Sequence, residues 1–206
     1  MNELTCFKAY DIRGKVPEQL NEAIAYALGR AVVAELGGNS YIVGRDMRLE
    51  SPALAQALTN GLTEAGANVI DIGLCGTEEV YFATSHYQAA GGIMVTASHN
   101  PKDYNGMKLV REGSRPVSGD SGLNATRDRI ASNNLCPPAS SKGQVQHKAD
   151  KTAYLQHLLG YINVANLKPL KILADPGNGA AGPVVQALQS YLPLQTVLVN
   201  QKLDGH

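Results

Sequence analysis

Cysteine is scarce in this chain of 206 residues. Cys6, Cys75 and Cys136 lie far apart, which excludes a disulfide framework and a Cys-x-x-Cys metal site. An excess of one charge is also absent, because 18 basic residues balance 18 acidic ones. The balance predicts no nucleic-acid partner and no anionic membrane surface, although it is compatible with a local basic site for a phosphate.

Long apolar runs are missing too. None approaches the ~20 residues that a membrane-spanning helix needs, and the start, MNELTCFKAYDIRG, lacks the basic and then apolar pattern of a signal peptide. The five histidines are scattered without the spacing of metal ligands. We therefore expect a cytoplasmic protein, and its 44% of apolar residues is enough for a substantial core.

Strand and helix patterns alternate along the first part of the chain. Runs rich in valine and isoleucine predict strands at residues 40–46, 68–74 and 91–98. Apolar residues three or four positions apart predict helices at residues 18–36 and 51–66, the second with Ser51 as its N-cap. The alternation predicts an α/β fold with a mixed, largely parallel sheet and helices on both faces. Residues 107–111 are expected to pair antiparallel with strand 91–98.

The pattern stops between residues 135 and 150, where two prolines, two serines and a glycine predict a linker. A second α/β unit then begins, with elements predicted at residues 151–162, 170–175, 180–191 and 195–200. We therefore divide the chain into domains at residues 1–148 and 149–206. One βαβ unit cannot cover both faces of a sheet, so the second domain should be incomplete and expose an edge and an apolar face. This predicts a homodimer or strand exchange in that region.

Ser98 follows the predicted strand 91–98 in the motif VTASHNP, where the ligands of open α/β sheets gather. An ordinary turn is one interpretation. A hydrolase nucleophile fits less well, because no Gly-x-Ser-x-Gly elbow is present and His99, as a sequence neighbour, should point away from the serine. A phosphate carrier fits better. A phosphoserine needs nearby cations, and Arg13 and Lys108 are the candidates.

Each of these cations also has an ordinary interpretation. Lys108 could be a solvated surface lysine, and Arg13 could form a surface salt bridge with Asp11. Asp46 and Arg48, in the motif GRDMR, are interpreted as a structural pair that braces the same crevice rather than as catalytic groups.

A glycine motif near the end of the chain suggests a competing function. The segment Gly177-Asn-Gly-Ala-Ala-Gly182 matches the Gly-x-Gly-x-x-Gly fingerprint of dinucleotide-binding proteins. The next predicted strand ends in Asn200 and Gln201 rather than in the acid that would hold a ribose, and the charge of Asp175 would oppose a pyrophosphate. We therefore expect a tight strand-to-helix turn and no NAD.

Four motifs in this order and spacing resemble those of the α-D-phosphohexomutase family: AYDIRG at 9–14, GRDMR at 44–48, VTASHNP at 95–101 and NGMK at 105–108. The resemblance extends over the whole chain and is strongest to the bacterial phosphomannomutases of GDP-mannose and polysaccharide biosynthesis. It implies an isomerase that moves a phosphoryl group between O6 and O1 of a hexose, through a bound hexose 1,6-bisphosphate that also acts as activator.

The resemblance also implies roles for individual residues. Ser98 would be the phosphoserine, Arg13 and Lys108 would bind phosphate, Asn100 would flank the serine and Tyr10 would lie near the sugar. His99 or Lys108 would assist proton transfer, and the choice between them stays open. Mg²⁺ would bridge the phosphate on Ser98 and three aspartates.

The sequence departs from the family pattern in what it lacks. It has no Asp-Gly-Asp-x-Asp-Arg metal loop, no Gly-Glu-x-Ser sugar loop and no Arg-x-Ser-x-Thr-Glu phosphate loop. The expected magnesium site is therefore incomplete, with Ser98 its one ligand. We expect the N-terminal part of a phosphomannomutase, inactive as a mutase on its own and of undetermined preference for mannose or glucose. The alternative is a non-catalytic phosphosugar-binding or assembly module from a truncated gene.

Overall fold

The computed structural model describes residues 4–205. Its first part is built on a seven-stranded sheet, whose strands in chain order are β1 (Ile12–Lys15), β2 (Ser40–Arg45), β3 (Asn68–Leu74), β4 (Gly91–Val95), β5 (Tyr104–Arg111), β6 (Arg115–Pro116) and β7 (Val145–His147). The spatial order is β1-β5-β4-β2-β3-β7, and β6 pairs with β5. Within this sheet β5 runs against the other strands, and β2, β3, β4 and β7 are parallel. The predicted mixed, largely parallel sheet is confirmed.

Helices cover both faces of this sheet. They are α1 (Glu22–Leu36), α2 (Ser51–Glu64), α3 (Thr77–His86) and α4 (Leu123–Ala131). Successive residues of a strand point to opposite faces, so Tyr41 and Val43 pack with residues of α1, α2 and α4, whereas Ile42 and Met94 pack with residues of α3. The sheet therefore has two apolar cores, one on each side.

Several element boundaries differ from the predictions. Helix α1 begins at Glu22 rather than at residue 18, because the side chain of Asn21 accepts a hydrogen bond from the amide of Ile24 and caps the helix there. Strand β4 ends at Val95 rather than at Ser98. The predicted antiparallel partner of β4 is confirmed, and it is longer than expected, since β5 begins at Tyr104.

The prediction of a linker at residues 135–150 is wrong in part, although residues 135–144 and 148–150 form no helix or strand. Residues 145–147 form β7, which extends the sheet beside β3. Upstream of β7 the guanidinium of Arg30 donates to the carbonyl oxygen of Cys136 at 2.9 and 2.7 Å. The amide of Gly143 donates to the carbonyl oxygen of Thr63 at 2.8 Å. Hydrogen bonds to its main-chain groups hold this segment, and they require no apolar periodicity in the sequence.

The last part of the described chain contains α5 (Thr152–Leu159), α6 (Ala181–Leu188) and a separate sheet of two parallel strands, β8 (Lys171–Ala174) and β9 (Gln195–Leu198). Leu173 and Val197 on this sheet are 69% and 44% exposed. The expected exposed apolar face is therefore confirmed, whereas the boundary at residue 148 and the homodimer stay predictions.

Helix α5 is attached to α3. The ammonium of Lys151 forms an ion pair with Glu79, which is buried, and also donates to the carbonyl oxygen of Leu74 at 3.1 Å. The ring of Phe82 in α3 packs against the rings of Tyr154 and His157 in α5. Within residues 4–205, no helix is both long and apolar enough to cross a membrane.

Candidate active site

The loop that follows β4 carries Ser98 at its exposed tip. The φ angle of Ser98 is 57°, in the left-handed region that serine seldom adopts. The amide of Ser98 donates to Thr96 Oγ1 at 2.8 Å, and the side-chain amide of Asn100 donates to the carbonyl oxygen of Ala97 at 2.7 Å. The loop thus satisfies its own polar groups and leaves the serine hydroxyl facing solvent.

Arg48 holds this loop from the neighbouring strand end. Its guanidinium donates to four main-chain carbonyl oxygens, those of Ser98 at 3.0 Å, Asn100 at 2.6 Å, Pro101 at 2.7 Å and Tyr104 at 2.8 Å. Arginine has five N–H donors in a rigid planar fork, so one side chain can fix several carbonyl groups at once. The predicted bracing role of Arg48 is confirmed.

Asp46 supports the loop from the buried side, through Thr96. Its carboxylate is buried and accepts hydrogen bonds from Thr96 Oγ1 at 2.7 Å and from Ser51 Oγ at 2.6 Å. Ser51 Oγ in turn accepts from the fully buried side-chain amide of Asn105 at 2.9 Å. A continuous chain of hydrogen bonds therefore runs from β5 through Asp46 and Thr96 to the amide of Ser98.

Gly106 has a steric reason to lack a side chain. Its carbonyl oxygen accepts a hydrogen bond from the amide of Thr96 at 2.9 Å, where the loop leaves β4. A Cβ atom at Gly106 would overlap the carbonyl oxygen of Ile12 and lie 2.9 Å from that of Thr96. In the motif Asn-Gly, the asparagine thus supplies the buried amide and the glycine permits the close approach of three strands.

Arg13 and Lys108 come together on the carboxylate of Asp11. Strand β1 pairs with β5 so that Arg13 lies opposite Gly106, two residues from Lys108. Arg13 Nη2 is 2.6 Å and Lys108 Nζ is 3.8 Å from Asp11 Oδ2. The alternative salt bridge between Arg13 and Asp11 therefore exists, but Asp11 is only 8% exposed and the pair is not a simple surface contact. Lys108 is half-buried rather than a solvated surface lysine.

His99 and Tyr10 are both exposed, and Tyr10 is 81% exposed. Contrary to the expectation that sequence neighbours point apart, His99 Nδ1 lies 3.4 Å from Ser98 Oγ. The distance is long for a hydrogen bond but allows the imidazole to take or return the serine proton after a small rotation.

The glycine motif of residues 177–182 forms the expected turn between β8 and α6. Asp175 accepts a hydrogen bond from the amide of Gly177 at 2.8 Å, and the amide of Asn178 donates to the carbonyl oxygen of Asn200 at 2.7 Å. The amide of Gly179 is used within the loop as well, by the carbonyl oxygen of Pro176. A pyrophosphate would need these amides, so the turn is structural.

The sequence interpretation missed several residues that build this site. The sequence predicts Asp11 only as a partner of Arg13 and predicts no role for Thr96 or Asn105. Ser51 was predicted as the N-cap of α2, which is wrong, because Glu50 occupies that position and Ser51 is buried against Asp46. For Thr96 a signal was available, because it is a polar residue next to an apolar run and such groups need partners when they are buried.

Known proteins resemble this chain in sequence and in structure. Residues 5–134 match the sequence profile of the phosphoglucomutase/phosphomannomutase alpha/beta/alpha domain I. A protein of Xanthomonas campestris pv. campestris described as "Phosphohexose mutases" is 54% identical over 204 residues, which is 98% of this chain and 45% of that protein. A phosphomannomutase of Escherichia coli is 52% identical over 213 residues, covering the whole chain and 46% of that enzyme.

Solved structures lead to the same family. A phosphoglucomutase/phosphomannomutase family protein from Burkholderia thailandensis superposes with a TM-score of 0.89 at 34% sequence identity, over all of this chain and 46% of that one. The chain spans about half the length of the relatives that it matches. It belongs to the phosphoglucomutase/phosphomannomutase family, a family of isomerases.

Proposed function

We propose that the chain supplies the phosphate-carrying domain of a phosphomannomutase, with Ser98 as the carrier between mannose 6-phosphate and mannose 1-phosphate. The observation that carries the proposal is the loop of Ser98, whose hydroxyl is exposed while its backbone is fixed by Arg48 and by Thr96. A phosphoryl carrier needs this combination, because transfer depends on holding the reacting atoms in line and within reach.

The transfer can be written with these residues. A sugar hydroxyl attacks the phosphorus of phosphorylated Ser98, the bond from phosphorus to Oγ breaks, and Oγ takes up a proton as the sugar hydroxyl loses one. In the product, a hexose 1,6-bisphosphate, the other phosphate is returned to Oγ after the sugar turns around. His99, 3.4 Å from Oγ, would carry the proton of the serine, and Arg13 and Lys108, which meet at Asp11, would offset phosphate charge.

The residues described here do not fit a complete magnesium site. Within residues 4–205, no three histidine, cysteine, aspartate or glutamate side chains lie close enough together to hold a metal ion. The carboxylates near the loop are already used, since Asp46 accepts from Thr96 and Ser51, and Asp11 faces two cations. No step of the proposed transfer is therefore assigned to Mg²⁺.

The carrier role is tested by incubating the chain with a hexose 1,6-bisphosphate and measuring its intact mass. We expect the addition of one phosphate group, located on Ser98 by peptide mapping and lost in Ser98→Ala. Ser132→Ala, which removes an exposed hydroxyl far along the chain, is the matched control and should still be labelled. No label on Ser98 under conditions in which a full-length relative is labelled would overturn the carrier role.

Mutase turnover is a separate measurement. We expect the 206-residue chain alone to convert no mannose 1-phosphate with Mg²⁺ and a bisphosphate activator, because it spans about half the length of the relatives it matches. Turnover near that of a full-length relative would refute this expectation. Binding of mannose 1-phosphate without any labelling of Ser98 would favour the phosphosugar-binding alternative.

A further inference from the structure

Asp11 occupies a defined position at the entrance to β1. Its carbonyl oxygen accepts a hydrogen bond from the amide of Lys8 at 2.8 Å, and the amide of Arg13 donates to the carbonyl oxygen of Cys6 at 2.7 Å. Cys6 is fully buried, so this turn is anchored in the core. The carboxylate of Asp11 therefore has little freedom to move.

Two cations share this carboxylate. Arg13 Nη2 lies 2.6 Å and Lys108 Nζ 3.8 Å from the same oxygen, Asp11 Oδ2. The side chains of Arg13 and Lys108 are 33% and 31% exposed, whereas that of Asp11 is 11% exposed. The two cations are therefore more exposed to solvent than the anion between them. A buried carboxylate needs such partners, because leaving it unpaired would be costly.

The arrangement leaves most donors of the two cations available. Within residues 4–205, Nη2 is the guanidinium nitrogen of Arg13 that donates to a protein oxygen, and Lys108 Nζ is within ion-pair distance but beyond hydrogen-bond distance of Asp11. Arginine has five N–H donors and lysine has three. The remaining donors can meet a phosphate without breaking the contacts to Asp11.

We propose that Asp11 is a positioning residue for phosphoryl transfer, acting through Arg13 and Lys108. This inference rests on the proposed carrier role of Ser98. The carboxylate fixes the separation and direction of the two cations, and it also offsets one of their two charges. Held in this way, Arg13 and Lys108 present their remaining donors to a phosphate in one fixed geometry, and the charge of Asp11 lowers their affinity for other anions.

The test is Asp11→Asn, which keeps the shape and the acceptor for Arg13 but removes the charge. The amide group would no longer attract Lys108, so both cations should bind inorganic phosphate more tightly, by about fivefold in an NMR titration of the chain. Because the cations are less well directed, the rate at which Ser98 is phosphorylated by a hexose 1,6-bisphosphate should fall about tenfold or more. Asp11→Glu should restore the wild-type phosphate affinity.

Asp103→Asn is the matched control. Asp103 lies directly before β5 and forms an exposed ion pair at 3.4 Å with Lys15 of β1. This variant should change neither measurement. A role for Asp11 in stability alone would lower the melting temperature without tightening phosphate binding.

The outcomes separate the two proposals. Phosphate binding that is unchanged or weaker in Asp11→Asn overturns the role of Asp11, whether or not Ser98 is labelled. Equal labelling rates in the wild type and in Asp11→Asn also overturn it. If the wild-type chain takes up no phosphoryl group, the carrier role fails, and the phosphate titration alone decides the role of Asp11.

Discussion

Arg48 donates a hydrogen bond to the carbonyl oxygen of Ser98 at 3.0 Å across a sequence separation of 50 residues. The same guanidinium binds three further carbonyl groups of the loop, so the conformation at Ser98 depends on a side chain from another strand end.

Replacing Arg48 with alanine should loosen the loop. The main-chain carbonyl groups would then be solvated by water, so we expect a loss of stability of about 1–3 kcal/mol in urea unfolding. The amides of residues 97–101 should exchange with solvent markedly faster, and phosphorylation of Ser98 should slow. Arg127→Ala, at an exposed arginine paired with its neighbour Asp128, should leave all three measurements unchanged. Unaltered exchange in the loop of Arg48→Ala would contradict the bracing role.

Thr96→Val removes a hydroxyl with two partners and keeps the shape of the side chain. Buried Asp46 would lose a donor and the amide of Ser98 would lose its acceptor, so unfolding should require about 1–3 kcal/mol less free energy. Thr84→Val is the control, because the buried hydroxyl of Thr84 only donates to the carbonyl oxygen of Val80 one helical turn away. A loss no larger in Thr96→Val than in Thr84→Val would show that the network below Ser98 adds no stability.

The three cysteines should differ in reactivity. Burial raises the pKa of the Cys75 thiol to about 12, and burial also raises the pKa of Cys6. Because the thiolate is the reactive form, a thiol reagent at pH 8 should modify only half-buried Cys136 in the folded chain and all three cysteines in denaturant. Cys136→Ser should abolish the reaction of the folded chain. Rapid modification of Cys75 would mean that its surroundings open.

The pKa of Cys75 has a consequence for stability. Its folded value lies above the ordinary value of 9.0, so folding favours the protonated thiol. The resulting stabilisation is complete below about pH 9 and is lost as the pH rises towards about 12. Chemical unfolding at increasing pH should therefore show a steeper fall above pH 9 for the wild type than for Cys75→Ala. Parallel curves would contradict this.

The homodimer predicted from the sequence can be tested at the small sheet. Leu173 in β8 is 69% exposed on a sheet of only two strands, which leaves apolar surface and unpaired strand edges available to a second copy. Light scattering should show dimers that increase with concentration, and Leu173→Lys should weaken them. Leu49→Lys, at a leucine that is 59% exposed outside this sheet, should not. A monomer at high concentration would refute the homodimer.

Most of the sheet could be predicted because its central strands are apolar runs. Strands β2 and β3 follow this rule, and their predicted bounds agree with the structure to within one residue. Strand β7 could not be predicted, since all three of its residues are exposed and main-chain hydrogen bonds to β3 hold it. Helix α3 was missed as well, because two adjacent glutamates in its first turn obscure the apolar pattern.

The residue types of the candidate site could be predicted from the sequence, but the contacts between their side chains could not. Arg13 and Lys108 stood out as cations near a possible phosphate. Their meeting at Asp11 depends on the register between β1 and β5, which a single sequence does not specify. The left-handed backbone of Ser98 could not be predicted either, because the loop is held by Arg48 and Thr96 rather than by a local glycine.

The four carbonyl contacts of Arg48 also constrain the length of the loop. Exposed loops usually tolerate insertions, but a residue added between Ser98 and Tyr104 would carry at least one of these carbonyl groups out of reach of the guanidinium. A lysine at position 48 could not compensate, because a point charge cannot span so many acceptors. The number of residues in this surface segment is therefore fixed by a side chain that lies outside it.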